Sequence, residues 1–311
     1  MALSKKDFLS IRDFSRAELD TILDLGARQK PLAKRFRLPK THPGRVLACI
    51  FHKPSLRTRL SFEVAMHQLG GSTLYITDRE IGIGSREAPK DVANVLSRYV
   101  DGIMIRTFEQ RMVEELARFA SVPVINGLTD LLHPCQVLGD IFTIIEKLGS
   151  IDGKKVVFVG DGNNVSRSWL EAAARFDFTF VLAAPKGYEM DESFVAEARK
   201  AGASDYHWVS DPREAVRGAD VVYTDAWTSM GQESEKAARE KAFAGFQVND
   251  ELMGIAGAKA LFMHCLPAHR GDEVTDSVID GPRSIVYDEA ENRLHIQRAI
   301  IALLMPGEGK P

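Results

Sequence analysis

The chain has 311 residues, which suggests roughly two domains, each large enough to bury a hydrophobic core. Lys and Arg total 40 against 43 Asp and Glu, so the net charge of -3 excludes a general attraction for nucleic acid or an anionic membrane. No apolar run approaches the ~20 residues of a membrane span, and residues 1–15 lack the apolar core of a signal peptide, so we expect a cytoplasmic protein. The cysteines Cys49, Cys135 and Cys265 are odd in number and lack paired spacing, which argues against a disulfide framework and a zinc site.

The first half of the chain alternates short apolar runs with stretches of helical periodicity. Ser15 and Glu18 form a capping-box pattern that predicts a first helix over residues 15–30. The next apolar runs predict four buried strands: VLACIF, STLYI, GIMIR and VPVIN. Helical stretches follow these runs and include residues 89–99 and 109–119. This order is typical of a parallel βα series.

A second series begins after Gly149. Its predicted strands are KKVVFVG, FTFVLAA, YHWVS, DVVYT and AKALFMH, with helices near residues 164–176 and 191–201. Residues 136–148, between the two series, are helical in pattern. The fold class is therefore predicted to be α/β, with two doubly wound parallel-sheet domains joined by a helix.

The stretch KPSLRTRLSFE follows the first predicted strand and opens a helix. A helix N-terminus has unpaired N–H groups and a positive dipole end, so hydroxyl and guanidinium groups placed there form an anion site. The simpler alternative is that Ser55 or Thr58 caps the helix and that the arginines are solvated. Further polar clusters that converge on one ligand would favour a phosphate site.

Five more polar loops follow predicted strands, where ligands bind in sheets of this kind. They contain Arg106, the pair His133 and Gln136, the pair Asn163 and Asn164, and the segments DAWTSMGQE and CLPAHRGDE. Each has a structural alternative, such as a histidine that satisfies a backbone carbonyl or a simple turn at residues 161–163. Their shared placement favours one ligand site in a cleft between the two domains.

The GDGNN segment also resembles a dinucleotide-binding loop, because Gly160 and Gly162 follow a strand. The third glycine is missing, since Val165 stands three positions after Gly162, and two asparagine amides fill the space between. Binding of NAD is therefore the weaker interpretation.

Four motifs together resemble the carbamoyltransferases: SLRTR at residues 55–59, HPCQ at 133–136, DAWTSMG at 225–231 and HCLPAHRG at 264–271. Within that superfamily DGNN, SMG and HCLP are similar to the ornithine carbamoyltransferases, whereas an aspartate carbamoyltransferase is expected to have an HPGP-type loop. The resemblance implies that carbamoyl phosphate and L-ornithine give L-citrulline and phosphate, without a metal or organic cofactor. It also implies a homotrimer or a multiple of trimers.

The resemblance further implies how the domains are divided. Residues 1–136 plus 289–311 would form a carbamoyl phosphate-binding domain, and residues 149–288 an ornithine-binding domain. Residues 137–148 would be the connecting helix, and a last helix at about residues 289–304 would return to the first domain. The active site would lie in the interdomain cleft.

Carried over position by position, the resemblance implies two sets of binding residues. Carbamoyl phosphate would be bound by Ser55, Leu56, Arg57, Thr58, Arg106, His133, Gln136, Cys265, Leu266 and Arg293. Ornithine would be bound by Asn164, Asp225, Ser229 and Met230. Arg106, His133 and Cys265 would be catalytic, and the Leu266–Pro267 bond is expected to be cis.

Two positions depart from the family pattern. Leu56 stands where many members have Thr, and we expect its backbone N–H to serve the phosphate instead. Gly82 stands where some relatives place a Gln or His from a neighbouring subunit, and Arg86 could compensate.

Three alternatives stay open at this point. Cys265 could be an inert thiol, and we do not expect it to be a covalent nucleophile. A sister carbamoyltransferase for putrescine or an acylated ornithine would share the phosphate half, but should lack Asn164 and the SMG segment. A binding or regulatory protein descended from the enzyme would have damaged loops, and the sequence shows no such damage.

Overall fold

The structure, a computed structural model, describes residues 3–228 and 233–307. The chain divides into two compact units, Met1–Phe142 with Glu291–Pro311, and Thr143–Ala290. Each unit contains one parallel sheet, as the two βα series predict. Among the described helices, none is long and apolar enough to cross a membrane.

The strands of the first unit are β1 (Val46–Phe51), β2 (Ser72–Thr77), β3 (Gly102–Arg106) and β4 (Val124–Leu128). Those of the second unit are β5 (Lys155–Val159), β6 (Thr179–Ala183), β7 (Tyr206–Val209), β8 (Val221–Thr224) and β9 (Leu261–His264). The described α-helices are α1 (Arg16–Lys34), α2 (Leu56–Leu69), α3 (Asp78–Ile81), α4 (Pro89–Tyr99), α5 (Gln110–Phe119), α6 (Pro134–Leu148), α7 (Asn164–Ala173), α8 (Glu192–Lys200), α9 (Pro212–Ala215), α10 (Lys236–Ala242), α11 (Asp250–Ala256), α12 (Asp276–Ile279) and α13 (Val286–Leu304).

The predicted capping box at the start of α1 is confirmed. The Glu18 carboxylate accepts from the Ser15 N–H over 2.8 Å, and Ser15 Oγ accepts from the Glu18 N–H. The helix then continues through Pro31 and ends four residues later than predicted. Because each partner satisfies a backbone donor that the helix leaves unpaired, the box fixes where α1 begins.

The predicted strand at VPVIN was placed two residues too early, because β4 runs on to Leu128. Asn126 and Gly127 have the character of turn residues, yet both lie inside the strand. The Asn126 side chain is buried and donates to the Leu9 carbonyl over 3.0 Å, so its amide is compatible with the core. A shift in the pairing register at the end of β3 accompanies this extension.

The strand order places a topological switch point in each sheet. The first sheet has the order β2-β1-β3-β4. The strands β2 and β3 therefore lie on opposite sides of β1, and the reversal falls between β1 and β3. The second sheet has the order β7-β6-β5-β8-β9, which places the reversal between β5 and β8. Loops diverge at such a point and leave a crevice at the carboxyl ends of the strands. The loops after β1, β3, β5 and β8 are therefore the positions to examine for ligand binding.

Candidate functional site

The first part of the candidate site is the N-terminus of α2, which follows β1 directly. Ser55 is the N-cap residue, and its Oγ accepts from the Thr58 N–H over 3.2 Å. The capping alternative is therefore correct for Ser55. It does not exclude anion binding, because one cap leaves other backbone N–H groups of the first turn available. The first turn is also free of acidic residues, so its dipole end is not neutralised locally.

Thr58 lies at the centre of a buried cluster of two arginines. Its Oγ1 accepts from Arg106 Nη1 over 3.3 Å and from Arg293 Nη2 over 2.8 Å. A hydroxyl has two acceptor lone pairs and one proton, so both lone pairs are engaged and the proton is left to donate elsewhere. Arg106 ends β3 and Arg293 lies on α13, so the cluster joins residues far apart in the sequence. The arrangement offers a negatively charged ligand two guanidinium groups and one hydroxyl donor.

His133 lies in the same positive environment and is held neutral. Burial lowers the pKa of His133 well below its ordinary value, and the charges of Arg293 and Arg106 lower it further. A neutral imidazole donates from one ring nitrogen and accepts at the other. His133 can therefore donate a hydrogen bond to a ligand oxygen without adding a third positive charge.

The other residues predicted to bind carbamoyl phosphate in the first unit differ in how deeply they are buried. Leu56 is the first residue of α2, and its side chain is 70% exposed, so its backbone N–H is the group available to a ligand. Arg57 is half-buried in the same turn. Gln136 is fully buried, and its Nε2 donates to Asp140 Oδ1 over 2.8 Å within α6.

The second part of the candidate site surrounds Asp225, the residue that follows β8. Its Oδ1 accepts from the Ala226 N–H over 2.8 Å and from the Cys265 thiol over 3.0 Å, and its Oδ2 accepts from Asn163 Nδ2 over 2.9 Å. Three donors from three loops thus hold this half-buried carboxylate in one orientation. A fixed carboxylate in a partly open position is suited to binding an ammonium group.

Asn163 and Asn164 have different roles in the structure. Asn163 is the N-cap of α7, where its Oδ1 accepts from the Val165 and Ser166 N–H groups, while its Nδ2 reaches Asp225. Asn164 is the first residue of α7 and is half-buried. Sequence reasoning selected Asn164 for the ligand and did not identify the positioning role of Asn163. Ser229 and Met230 lie outside the described residues.

The loop after β9 brings Cys265 and Leu266 to Asp225. The Leu266–Pro267 peptide bond is cis, as predicted, and Leu266 has a left-handed φ of 57°. The Leu266 N–H donates to His264 Nδ1 over 2.9 Å, and His264 Nε2 lies 3.1 Å from Glu273 Oε1. This chain of contacts holds the loop in a backbone conformation that a branched residue rarely adopts.

Asp225, His264 and Cys265 also place potential metal ligands within 4.8 Å of one another. Both ring nitrogens of His264 are already engaged, one by the Leu266 N–H and the other by Glu273. The imidazole therefore orients the loop in this structure, and binding a metal would require breaking one of those contacts.

Sequence reasoning missed two buried cations near these loops. Arg239, on α10, forms an ion pair with Asp161 and donates to the Trp227 carbonyl over 3.1 Å, so it links the loops after β5 and β8. In the sequence it stands among charged residues, and nothing there distinguishes it from a solvated arginine. Lys53, after β1, forms an ion pair with Asp130 and lies 4.4 Å from the centre of the Phe108 ring. Its place at the start of the KPSLRTR motif was the available signal.

Gly162 decides the question of a dinucleotide loop. A Cβ atom built on Gly162 would lie 2.7 Å from the backbone of Glu189 and Met190. The glycine is therefore required by the packing of two backbone segments. This explains its presence without a phosphate, and the missing third glycine agrees with that explanation.

Both units match known families. Residues 6–146 match the family described as aspartate/ornithine carbamoyltransferase, carbamoyl-P binding domain, and residues 152–304 match aspartate/ornithine carbamoyltransferase, Asp/Orn binding domain. The chain is 51% identical over 303 residues to an ornithine carbamoyltransferase of Pelobacter propionicus, a match that covers 97% of this chain and 99% of the relative.

Solved structures of similar proteins share the fold. An ornithine carbamoyltransferase from Pyrococcus furiosus is 49% identical, with a TM-score of 0.94 and coverage of 98% of each chain. Another from Burkholderia thailandensis is 45% identical, with a TM-score of 0.90 and coverage of 99% of this chain and 100% of the other.

The cluster around Thr58 makes a direct prediction about anion binding. Arg106→Ala and Arg293→Ala should each weaken the binding of inorganic phosphate by about tenfold or more, because a hydrogen bond to a charged group contributes ~1.5–3 kcal/mol. Isothermal titration calorimetry with phosphate measures this change. Arg111→Ala, at an exposed arginine on α5, is the control and should bind phosphate as the unmodified protein does. Equal affinities in all folded variants would rule out the anion site.

Proposed function

The chain belongs to the aspartate/ornithine carbamoyltransferase family, and we propose that it transfers the carbamoyl group of carbamoyl phosphate to the δ-amine of L-ornithine, giving L-citrulline and phosphate. The observation that carries this proposal is identity of about half to proteins named ornithine carbamoyltransferase over nearly the whole chain. The positive cluster of the first unit and the oriented carboxylate of the second unit agree with the two substrates.

Carbamoyl phosphate binds, in this proposal, to the first unit. Its phosphate lies at the N-terminus of α2, where backbone N–H groups of residues 55–57, the Ser55 and Thr58 hydroxyls and the Arg57 guanidinium surround it. Arg106 bridges the phosphate and the carbonyl oxygen, and Arg293 adds a second guanidinium. Gln136, with His133, binds the carbamoyl group.

Ornithine binds to the second unit. Asp225 accepts hydrogen bonds from the α-ammonium group, supported by the Ser229 hydroxyl. Asn164 and the Met230 backbone donate to the carboxylate. Cys265 and the Leu266 carbonyl lie beside the reacting δ-nitrogen, and all of these roles rest on matching motif positions and on the orientation of Asp225 by Asn163 and Cys265.

The reaction requires a neutral amine and a stabilised oxyanion. The δ-ammonium group of ornithine loses one proton to solvent, and the neutral amine attacks the carbonyl carbon, so negative charge develops first on the carbonyl oxygen and then on the departing phosphate. The Thr58 hydroxyl, Arg106 and neutral His133 donate to that oxygen, and the α2 N-terminus stabilises the phosphate. Collapse of the tetrahedral intermediate breaks the bond between carbon and the phosphate oxygen, and the extra proton of the attacking nitrogen passes to the departing phosphate. Cys265 forms no covalent bond in this scheme, because ornithine itself is the nucleophile.

The rate of citrulline formation should rise with pH from neutral to mildly alkaline conditions. The δ-ammonium of ornithine resembles a lysine side chain, with a pKa of ~10.4, and only its deprotonated form attacks. His133 is already neutral across this range, so it contributes no opposing change. Initial rates at subsaturating ornithine measure the profile. A flat profile would show that deprotonation of the amine is not part of the rate-determining path.

The choice of amine tests the assignment to ornithine most directly. Putrescine lacks the α-carboxylate, so it would leave the partners of that group empty, and a site that pairs buried polar groups rejects such an analogue by factors as large as ~10⁴. Lysine has one more methylene, which moves its amine out of line with the carbamoyl carbon. Ornithine should therefore exceed putrescine, lysine and acetylornithine in kcat/KM.

Asp225→Ala should reduce the advantage in kcat/KM that ornithine has over the other amines, chiefly by impairing the reaction with ornithine. Asp205→Ala, at an exposed carboxylate before β7, is the matched control and should preserve the order of the amines. If putrescine or acetylornithine is the best substrate of the unmodified enzyme, the assignment to ornithine is wrong, although carbamoyl phosphate can still be the donor.

We further propose that the enzyme is a homotrimer, as the family resemblance implies. Support comes from three exposed apolar residues, Leu60 and Val64 on α2 and Leu74 on β2. The strand β2 lies at the edge of its sheet, where an exposed leucine favours contact with another chain. Arg86, in the loop after α3, donates to the Glu80 carbonyl. Its role across a subunit boundary stays a prediction. A cytoplasmic location also stays a prediction.

Val64→Glu combined with Leu74→Glu should dissociate the assembly, because each change places a charge in the proposed apolar contact. Analytical ultracentrifugation should find three chains per particle for the unmodified protein and one for the double variant. Phe36→Glu, at a residue that is 98% exposed after α1, is the control and should remain trimeric. An unmodified protein that sediments as a single chain would contradict the proposal.

A further inference from the structure

The position of α13 determines whether the cluster around Thr58 can form. Arg293 lies on this helix, which begins in the second unit and continues from Glu291 in the first. Its contact with Thr58 Oγ1 is 2.8 Å long, and a slip of one residue along a helix axis moves a side chain by ~1.5 Å. Apolar packing alone is tolerant of small displacements, so a directional contact is needed to fix the register.

A second arginine of α13 supplies such a contact. Arg298 is fully buried, and its guanidinium reaches three helices of the first unit. Its Nε donates to Gln29 Oε1 on α1 over 3.0 Å, its Nη1 donates to Gln68 Oε1 on α2, and its Nη2 lies 3.1 Å from His295 Nδ1 on α13. The planar fork has fixed donor directions, so it can satisfy all three acceptors in only one arrangement of the helices.

Burial of the charged Arg298 guanidinium costs folding free energy, and this cost needs a physical explanation. The three hydrogen-bond partners of Arg298 are uncharged groups, and burial lowers the pKa of its guanidinium to about 10. A buried cation without a carboxylate is stabilised poorly, and a hydrophobic residue of similar size would often be at least as stable. The cost is more easily explained by a need for a specific register than by a need for stability.

His295 completes the network only in its neutral form. Its Nε2 lies 2.9 Å from Glu291 Oε1, so the proton is on Nε2 and Nδ1 accepts from Arg298. The pKa of His295 is lowered to about 4, mainly by burial. The charges of Arg298 and of Lys30 on α1 also lower this pKa, whereas Glu291 raises it. The imidazole is therefore neutral at the pH of catalysis.

We propose that Arg298 is a positioning residue for the carbamoyl phosphate site: by joining Gln29 and Gln68 it fixes the register of α13 so that Arg293 reaches Thr58. This inference rests on the proposed function, since it assigns to Arg293 a role in holding the phosphate. Close packing beside the network agrees with it, because a Cβ on Gly26 of α1 would lie 2.9 Å from Ile296 of α13.

Arg298→Met tests the inference, because Met fills similar space without the donors. We expect the variant to unfold at the same temperature as the unmodified protein or higher. Its KM for carbamoyl phosphate and its dissociation constant for inorganic phosphate should both rise by about tenfold, which corresponds to ~1.4 kcal/mol. Its KM for ornithine should stay within about threefold.

Lys34→Met is the matched control. Lys34 joins α1 to α13 through Glu291 at the surface, over 2.9 Å. An exposed ion pair contributes ~0–1 kcal/mol, so this variant should bind phosphate within about twofold of the unmodified protein.

A double variant distinguishes the positioning of Arg293 by Arg298 from a direct electrostatic effect of Arg298 on the phosphate. If Arg298 acts through Arg293, then Arg298→Met should weaken phosphate binding by less than about twofold in an Arg293→Ala background. Independent effects, which would multiply, would overturn the inference. So would a folded Arg298→Met variant with unchanged phosphate affinity.

If Arg298→Met does not fold, Gln68→Met takes its place, because it removes only the acceptor on α2. A smaller loss of phosphate affinity in the same direction is then expected, and an unchanged affinity would overturn the inference. Phosphate binding is measured without turnover, so the result is separate from the proposed reaction. An unmodified protein that binds phosphate but forms no citrulline would refute the reaction and leave the positioning test intact.

Discussion

The convergence of Arg106 and Arg293 on the hydroxyl of Thr58 is the interaction on which the rest of the first unit depends. Two positive charges held together in a buried place repel each other, and an anionic ligand relieves that repulsion. Burial and the same field lower the pKa of His133 and keep it neutral, so it can donate to a ligand without adding a third charge. In the proposed mechanism, substrate binding and stabilisation of the developing oxyanion are thus consequences of one electrostatic arrangement.

The second unit uses a carboxylate where the first uses guanidinium groups. Asp225 receives hydrogen bonds from Asn163, Ala226 and Cys265, which come from three different loops. A carboxylate fixed in this way presents its remaining acceptor capacity in a defined direction. Both units therefore follow one rule, in which the strand order opens a crevice and donors or acceptors from separate loops orient one central polar group.

Several buried polar groups of the two units serve orientation rather than direct chemistry. His264 and Glu273 hold the loop of Cys265, and Arg239 ties the loop after β5 to the stretch after β8. Such groups are costly to bury, and they are compatible with a stable core only because each one has a partner. The Arg298 network extends this pattern to the docking of a whole helix.

The sequence by itself determined the α/β class, the two βα series and the helix starts that side-chain caps define, because hydrophobic period and capping are local properties. Its motifs also selected Arg106, His133, Asp225 and Cys265 as candidate site residues, since each stands directly beside a strand end or a helix start. Only the tertiary structure decided the strand order, the extension of β4 through Asn126 and Gly127, and the partners of Thr58. Arg239 and Arg298 could not be recognised from sequence, because a buried arginine and a solvated one look alike until the helices around them are placed. The reason is physical: burial and the direction of a hydrogen bond are set by contacts between segments that lie far apart along the chain.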